Sequence, residues 1–100
     1  MPNLSIDRAA DVLKAVAHPS RIRIVLALTQ QASINVSSLQ QQLQLEQSLL
    51  SQHLTKLKDK KILISQRQGS EIYYSLADPT VVDVLQLMLI LTESKRKHRV

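Results

Sequence analysis

Between Leu45 and Leu57 the chain reads Leu-Glu-Gln-Ser-Leu-Leu-Ser-Gln-His-Leu-Thr-Lys-Leu, and at about 100° per residue this stretch separates into two faces. Leu50, Leu54 and Leu57 fall in one narrow stripe, with Ser48, Ser51, Gln52 and Thr55 opposite. The pattern predicts a helix docked by leucines that leaves a polar face free.

The same three-and-four spacing recurs upstream. Ile6, Ala9, Ala10, Leu13, Val16 and Ala17 mark a first helix, with Ser5 a partial capping signal because Arg8 stands where a capping glutamate would. His18-Pro19 breaks it, since proline disfavours helix at the preceding residue and suits the first turn of the next. A second helix is expected over about 19–29, with Ile22, Val25, Leu26 and Leu28 inward and Arg21 and Arg23 outward. A polar stretch, 30–35, precedes a third helix opening at Val36-Ser37-Ser38-Leu39, where Leu39 and Leu43 are spaced for burial and Ser37 or Ser38 can cap. Gln44-Leu45-Glu46 then joins two short helices through about three residues, which is helix-turn-helix spacing, over 37–60. Helical bundles with no nucleic-acid role also use such spacing.

After Lys61 the period falls to two. Ile62 and Ile64, and later Ile72, Tyr74 and Leu76, alternate with polar residues and predict a hairpin over 62–76, its turn at 66–71 holding the single glycine. A two-stranded hairpin is barely stable alone in water, so it must pack on the helices and project a tip carrying Arg67 and Gln68, a wing. Asp78-Pro79 starts a last helix, near 79–95, in which Val81, Val82, Val84, Leu85, Leu87, Met88, Leu89, Ile90 and Leu91 cover nearly every side. Packing on one domain buries one side of it; the remaining aliphatic side chains, at about 1.5–3 kcal/mol each for full burial, call for a twofold dimer.

The free face of 45–57 carries short hydroxyls, amides and one lysine, with Glu46 and Asp59 at the ends. A helix in the DNA major groove needs small side chains for close approach, amides and hydroxyls for base edges, and little negative charge near phosphates. Gln47, Ser48, Ser51, Gln52, His53 and Lys56 are the candidate contacts there, joined by Arg67 and Gln68 of the wing. His53 is equally readable as a partly buried helix residue hydrogen-bonded locally. Leu49, at the border, either meets a thymine methyl or packs on the third helix. His18 reads as a helix-junction residue.

Composition narrows the picture. One hundred residues make one domain with a modest core, aliphatic because there are two tyrosines and no phenylalanine or tryptophan. Thirteen Lys and Arg against eight Asp and Glu, a formal net charge of +5, suit an anionic partner. The absence of cysteine excludes disulfides and thiolate metal sites. The opening residues lack a signal-peptide pattern and the apolar run 81–91 is too short to span a bilayer, so the expected location is cytoplasmic with no membrane partner. No nucleophile elbow, glycine-rich phosphate loop or paired acid cluster points to an enzyme. The basic run 93–99 reads as a solvated terminus or a phosphate-contacting arm.

Three segments, Leu13-Lys14-Ala15-Val16-Ala17-His18-Pro19-Ser20-Arg21-Ile22-Arg23-Ile24, Ser51-Gln52-His53-Leu54-Thr55-Lys56-Leu57 and Gly69-Ser70-Glu71-Ile72-Tyr73-Tyr74-Ser75-Leu76, resemble the ArsR-type winged helix-turn-helix transcriptional repressors over roughly 8–77. The resemblance implies a mainly α fold with a small β-hairpin (α+β) and a homodimer paired through the first and last helices, near 5–17 and 79–95. It implies double-stranded DNA as partner: two reading helices entering successive major grooves of an inverted-repeat operator, with hairpin tips on flanking minor grooves or phosphates.

Members of that family commonly release DNA on binding metal, but the ligands do not carry over. Where thiolates would stand at the third helix this chain has Asn35, Val36, Ser37, Ser38 and Leu39. On the last helix it has Asp83, but Leu85, Arg96 and Arg99 where histidines would follow; Asp83 with a slipped His98 supplies at most two ligands per chain. The expectation is a repressor with no metal, no cofactor and an unidentified effector, or alternatively a winged-helix dimer acting as a protein-interaction module or antirepressor.

Overall fold

The computed structural model describes residues 4–98, with side chains through residue 93. In chain order the elements are α1 (Ile6–Val16), α2 (Pro19–Gln30), β1 (Ile34–Asn35), α3 (Val36–Leu43), α4 (Gln47–Asp59), β2 (Leu63–Gln68), β3 (Glu71–Leu76) and α5 (Thr80–His98). The side chains of Arg96, His98 and Arg99, on which the slipped metal pairing and the basic arm depend, lie outside the described residues.

Local chemistry sets the helix ends. Ser5 Oγ accepts from the Arg8 amide at 3.1 Å, so the incomplete capping signal suffices for α1. His18 caps α2, its Nδ1 accepting from the Ser20 amide at 3.1 Å, with Pro19 at the first helical position. The α3 cap is Asn35, whose Oδ1 accepts from the Ser38 amide at 2.8 Å, rather than Ser37 or Ser38. Asp78 Oδ1 accepts from both the amide and the hydroxyl of Thr80 at the start of α5.

The sheet has three antiparallel strands, ordered β1-β3-β2, where a two-strand hairpin was expected. Ile34 pairs with Tyr74 and Asn35 with Tyr73, and Asn35 Nδ2 also donates to Glu71 Oε1 at 2.9 Å. This short strand occupies the second edge of β3 and ties the wing to the start of α3. The hairpin is tighter than expected: Gln68 pairs with Glu71 across Gly69-Ser70, and Gly69 takes the positive φ of 64° that such a turn favours in glycine. Its phase also differs. Lys61 leaves α4 with φ 62°, Ile62 returns its amide to the Leu57 carbonyl, and the inward strand position falls to Leu63, leaving Ile64 exposed.

The core gathers Leu50, Leu54 and Leu57 of α4 with Ile24 and Val25 of α2, Leu39 of α3 and Leu63 of β2. Ile24 rather than Leu26 is fully buried in α2, and Arg21, expected outward, is half-buried. Among the described residues of α5 only Val82 and Leu85 are buried; Val84, Leu87, Met88, Leu89, Ile90 and Leu91 are exposed, as are Leu4, Ile6 and Leu13 near α1. Among the described residues no helix is long and apolar enough to cross a membrane.

Candidate nucleic-acid interface

The α3–α4 pair is set by its turn. Gln44 ends α3 in the left-handed conformation, φ 53° and ψ 45°, and α4 starts at Gln47, the three-residue connection that the spacing predicts. The leucine stripe of α4 is fully covered, Leu50 and Leu57 at 0 % exposure, so the helix can turn only one face outward. That face presents Gln47, Ser48, Ser51, Gln52, Thr55 and Lys56, all exposed. Ser51, Gln52, Thr55, Lys56 and Asp59 line a shallow depression of about 380 Å³. Thr55 belongs with these groups, and its place opposite the leucine stripe is the signal that marks it.

Such a face combines the short hydroxyls of Ser48, Ser51 and Thr55 with the longer amides of Gln47 and Gln52, and carries no aromatic ring to hold a partner away. Ser48 Oγ donates to Glu46 Oε1, which orients that hydroxyl at the start of the helix. Leu49 is 42 % exposed at the border. Two lysines, Lys56 and Lys58, occupy the last turn and complement the negative end of the helix dipole.

The wing places Arg67 opposite Ile72 and Gln68 opposite Glu71, both exposed beside the turn. Successive strand residues point to opposite faces, so Arg67 lies on the Leu63 side and Gln68 on the Ile64 side. One approaching surface meets them from two directions.

His53 does not belong to the outer face. It is 4 % exposed, and its Nδ1 accepts from Arg21 Nε at 3.0 Å while Arg21 Nη1 donates to the Ala15 carbonyl at 3.1 Å. The His18 ring lies 4.6 Å away, centroid to centroid, tilted by 53°. With Nδ1 accepting, the ring proton sits on Nε2, which is buried and has no protein partner among the described residues. An unpaired buried N–H costs about 1–3 kcal/mol. Burial, then the neighbouring His18 and Arg21, hold the His53 pKa below its ordinary value. The wheel position carries the signal: His53 lies three residues from Leu50, beside the buried stripe. Its partner, 32 residues distant in sequence, has no local signal.

Away from this face, α1, α5 and the α4–β2 connection enclose a cleft of about 540 Å³ with an apolar floor that includes Val12, Val16, Ile62 and Val81. Among the described residues no group of three or more His, Asp or Glu side chains is placed to hold a metal ion.

The family described as "Bacterial regulatory protein, arsR family" matches residues 18–65. The chain is 42 % identical to the transcriptional repressor PagR of Bacillus anthracis over 85 residues, 85 % of each protein. The PagR crystal structure superposes with a TM-score of 0.75 over 83 % of this chain and 94 % of that one. This chain is also 40 % identical to the HTH-type transcriptional repressor SmtB of Mycobacterium tuberculosis over 77 residues, 77 % of this chain and 56 % of that protein. A solution structure of Mb0332 from Mycobacterium bovis, described as a homodimeric winged helix-turn-helix DNA-binding domain, is similar in fold with a TM-score of 0.79 at 24 % identity, covering 98 % of this chain and 95 % of that one.

Proposed function

The chain belongs to the ArsR family of bacterial regulatory proteins and is a winged helix-turn-helix, DNA-binding transcriptional regulator, and we propose that it works as a homodimeric repressor of an inverted-repeat operator. The observation that carries this reading is the outer face of α4, polar and exposed above a leucine stripe that is wholly buried. Gln47, Ser48, Ser51 and Gln52 read base edges in the major groove, where amides and hydroxyls match the donor and acceptor patterns. Lys56 and Arg67 supply charge to phosphates, and Gln68 a polar contact at the wing.

The second copy packs against α1 and α5. Those helices carry exposed aliphatic side chains that a monomer leaves in water, Ile6 and Leu87 at 88 % and 66 % exposure among them. Their burial against a symmetric partner brings two α4 helices to one side, and half-sites about one helical turn apart follow from that geometry. No reaction is catalysed; repression is occupancy. The chain's lack of cysteine removes thiolate metal sensing as a means of release. As a DNA-bound regulator it works in the cytoplasm.

The test is selection from a random duplex pool with purified protein, followed by anisotropy titration of the winner and a scrambled control at two salt concentrations. The expected result is an enriched inverted repeat bound far more tightly than the control. Equal, weak, salt-sensitive binding of both duplexes would overturn sequence reading and favour a protein-binding dimer.

A further inference from the structure

Leucine packing decides which face of α4 is buried but is not directional, so the fine rotation of the helix about its axis is left to directional contacts. Among the described residues, the side-chain hydrogen bond that joins α4 to another helix is Arg21 Nε to His53 Nδ1, at 3.0 Å. The same guanidinium reaches the Ala15 carbonyl at the end of α1, so one arginine ties the reading helix to α1 and α2 together. Gln52, next to His53 in sequence and about 100° from it around the helix, is exposed; a small rotation of α4 at His53 swings the reading face.

We propose that Arg21 and His53 are positioning residues for DNA reading: α4 is correctly seated only while His53 Nδ1 is an unprotonated acceptor, and acid therefore weakens operator binding. This rests on the DNA reading proposed above. Protonation sets an N–H of His53 against the N–H of Arg21 and puts two cations side by side where water is excluded. The groups packed around His53 offer no compensation. From α2 it faces Arg21, with His18 at the cap and Arg23 exposed; from β2 the charged residue is Arg67, exposed by the turn. On α1, Asp11 lies 3.9 Å from Lys60, beyond the far end of α4, while Asp7, Arg8 and Lys14 are exposed. Burial first, then His18 and Arg21, already oppose the protonated ring.

The predicted sign is opposite to the generic one. Added positive charge ordinarily strengthens binding to a polyanion, so a histidine merely near phosphate would tighten the complex on acidification. A seat that needs a neutral ring loosens it: the free protein can relax around a charged His53, whereas the bound protein holds α4 in place.

The experiment is anisotropy titration of the selected operator between pH 7.5 and 5 at constant ionic strength, with wild type, His53→Gln and His18→Asn. In parallel, the imidazole nitrogens of His53 are followed by NMR in the free and the DNA-bound wild type. Wild type is expected to lose affinity toward acid by up to about tenfold per His53, and so about 100-fold for the dimer, for each unit by which DNA lowers the His53 pKa. His53→Gln, whose amide oxygen can accept from Arg21 and does not titrate, should lose this dependence; His18→Asn, which keeps a capping side chain, should retain it. An affinity that is flat or rises toward acid overturns the proposal, as does an unchanged acid loss in His53→Gln. If His53→Gln does not fold, the NMR arm decides: a His53 titration midpoint that DNA does not lower overturns it. Absence of operator binding even at pH 7.5 fells the DNA reading, and this inference with it.

Discussion

In α4 the leucines at positions 50, 54 and 57 are covered by the chain's own core and the polar face is bare, whereas in α5 Val82 and Leu85 are covered and Val84, Leu87, Met88, Leu89, Ile90 and Leu91 are bare. Both helices therefore leave half of themselves unused, and the chemistry of the unused half differs. Exposed hydroxyls and amides lose little by standing in water and gain only from a partner with matched donors and acceptors. Exposed Leu87, Met88 and Ile90 are in a costly state until another apolar surface covers them. One face is suited to binding that can be released; the other to an association kept throughout the protein's life.

The sharpest way to break this comparison is to charge the α5 face. Leu87→Glu with Ile90→Glu should give a monomer by sedimentation, with helical circular dichroism retained because neither side chain is in the core. Operator affinity should fall by about 100-fold or more as the two half-sites lose their linkage. An unchanged dimer would move the interface elsewhere. Leu54→Ala, on the covered side of α4, should instead lower unfolding free energy by about 2–5 kcal/mol in denaturant titrations. It tests whether that stripe is core.

On the bare side of α4 the effects should be smaller and should separate by kind. Gln52→Ala should cost about 1–3 kcal/mol of discrimination between the operator and its base-substituted variants, with stability unchanged. Arg67→Ala should weaken all duplexes alike and reduce the slope of log affinity against log salt by about 1.8, or about 0.9 for each of the dimer's two wings. Identical behaviour of the two variants would erase the division between reading and anchoring. Least of all should be Gln44→Gly, which touches neither face: relief of the left-handed φ of 53° should add about 1 kcal/mol of stability and leave specificity intact.

The fold is legible in the sequence wherever a single period persists for three turns or more. The leucines of α4, the alternation of β3 and the apolar excess of α5 all have their source there. Two-residue β1 has no room for a period, and its pairing with Tyr73 and Tyr74 depends on contacts distant in sequence. Asn35, Ser37 and Ser38 are all competent caps, and the backbone conformation of residue 35, φ −81° and ψ 164°, selects among them. In α2 the run Ile22-Arg23-Ile24-Val25 surrounds an arginine with apolar residues, so periodicity alone leaves Ile24 and Leu26 undivided.

The outer face of α4 is similarly legible, because polar groups opposite a leucine stripe have one place to go. The seat behind it is not. Arg21 looks like a surface cation of α2 until His53 is placed beside it, and only the packed structure supplies that neighbour. A pH sensitivity of stability follows from the burial of His53 and then from His18 and Arg21 beside it. With the folded His53 pKa below its unfolded value, the unfolded chain binds more protons between the two, so stability should fall as pH drops through the ordinary histidine range and level off below the folded pKa. Thermal unfolding of wild type and His53→Gln across that range checks the sign.

Whether α4 turns its bare face to DNA while α5 turns its own to a second copy can be read from amide chemical-shift mapping of the labelled protein titrated with the selected duplex. Large changes are expected at Gln47, Ser48, Ser51, Gln52, Thr55 and Lys56 and around the Gly69 turn, with the outer α5 resonances unmoved because a second copy already covers them. Changes concentrated in α5 and α1, with the outer face of α4 silent, would contradict this arrangement.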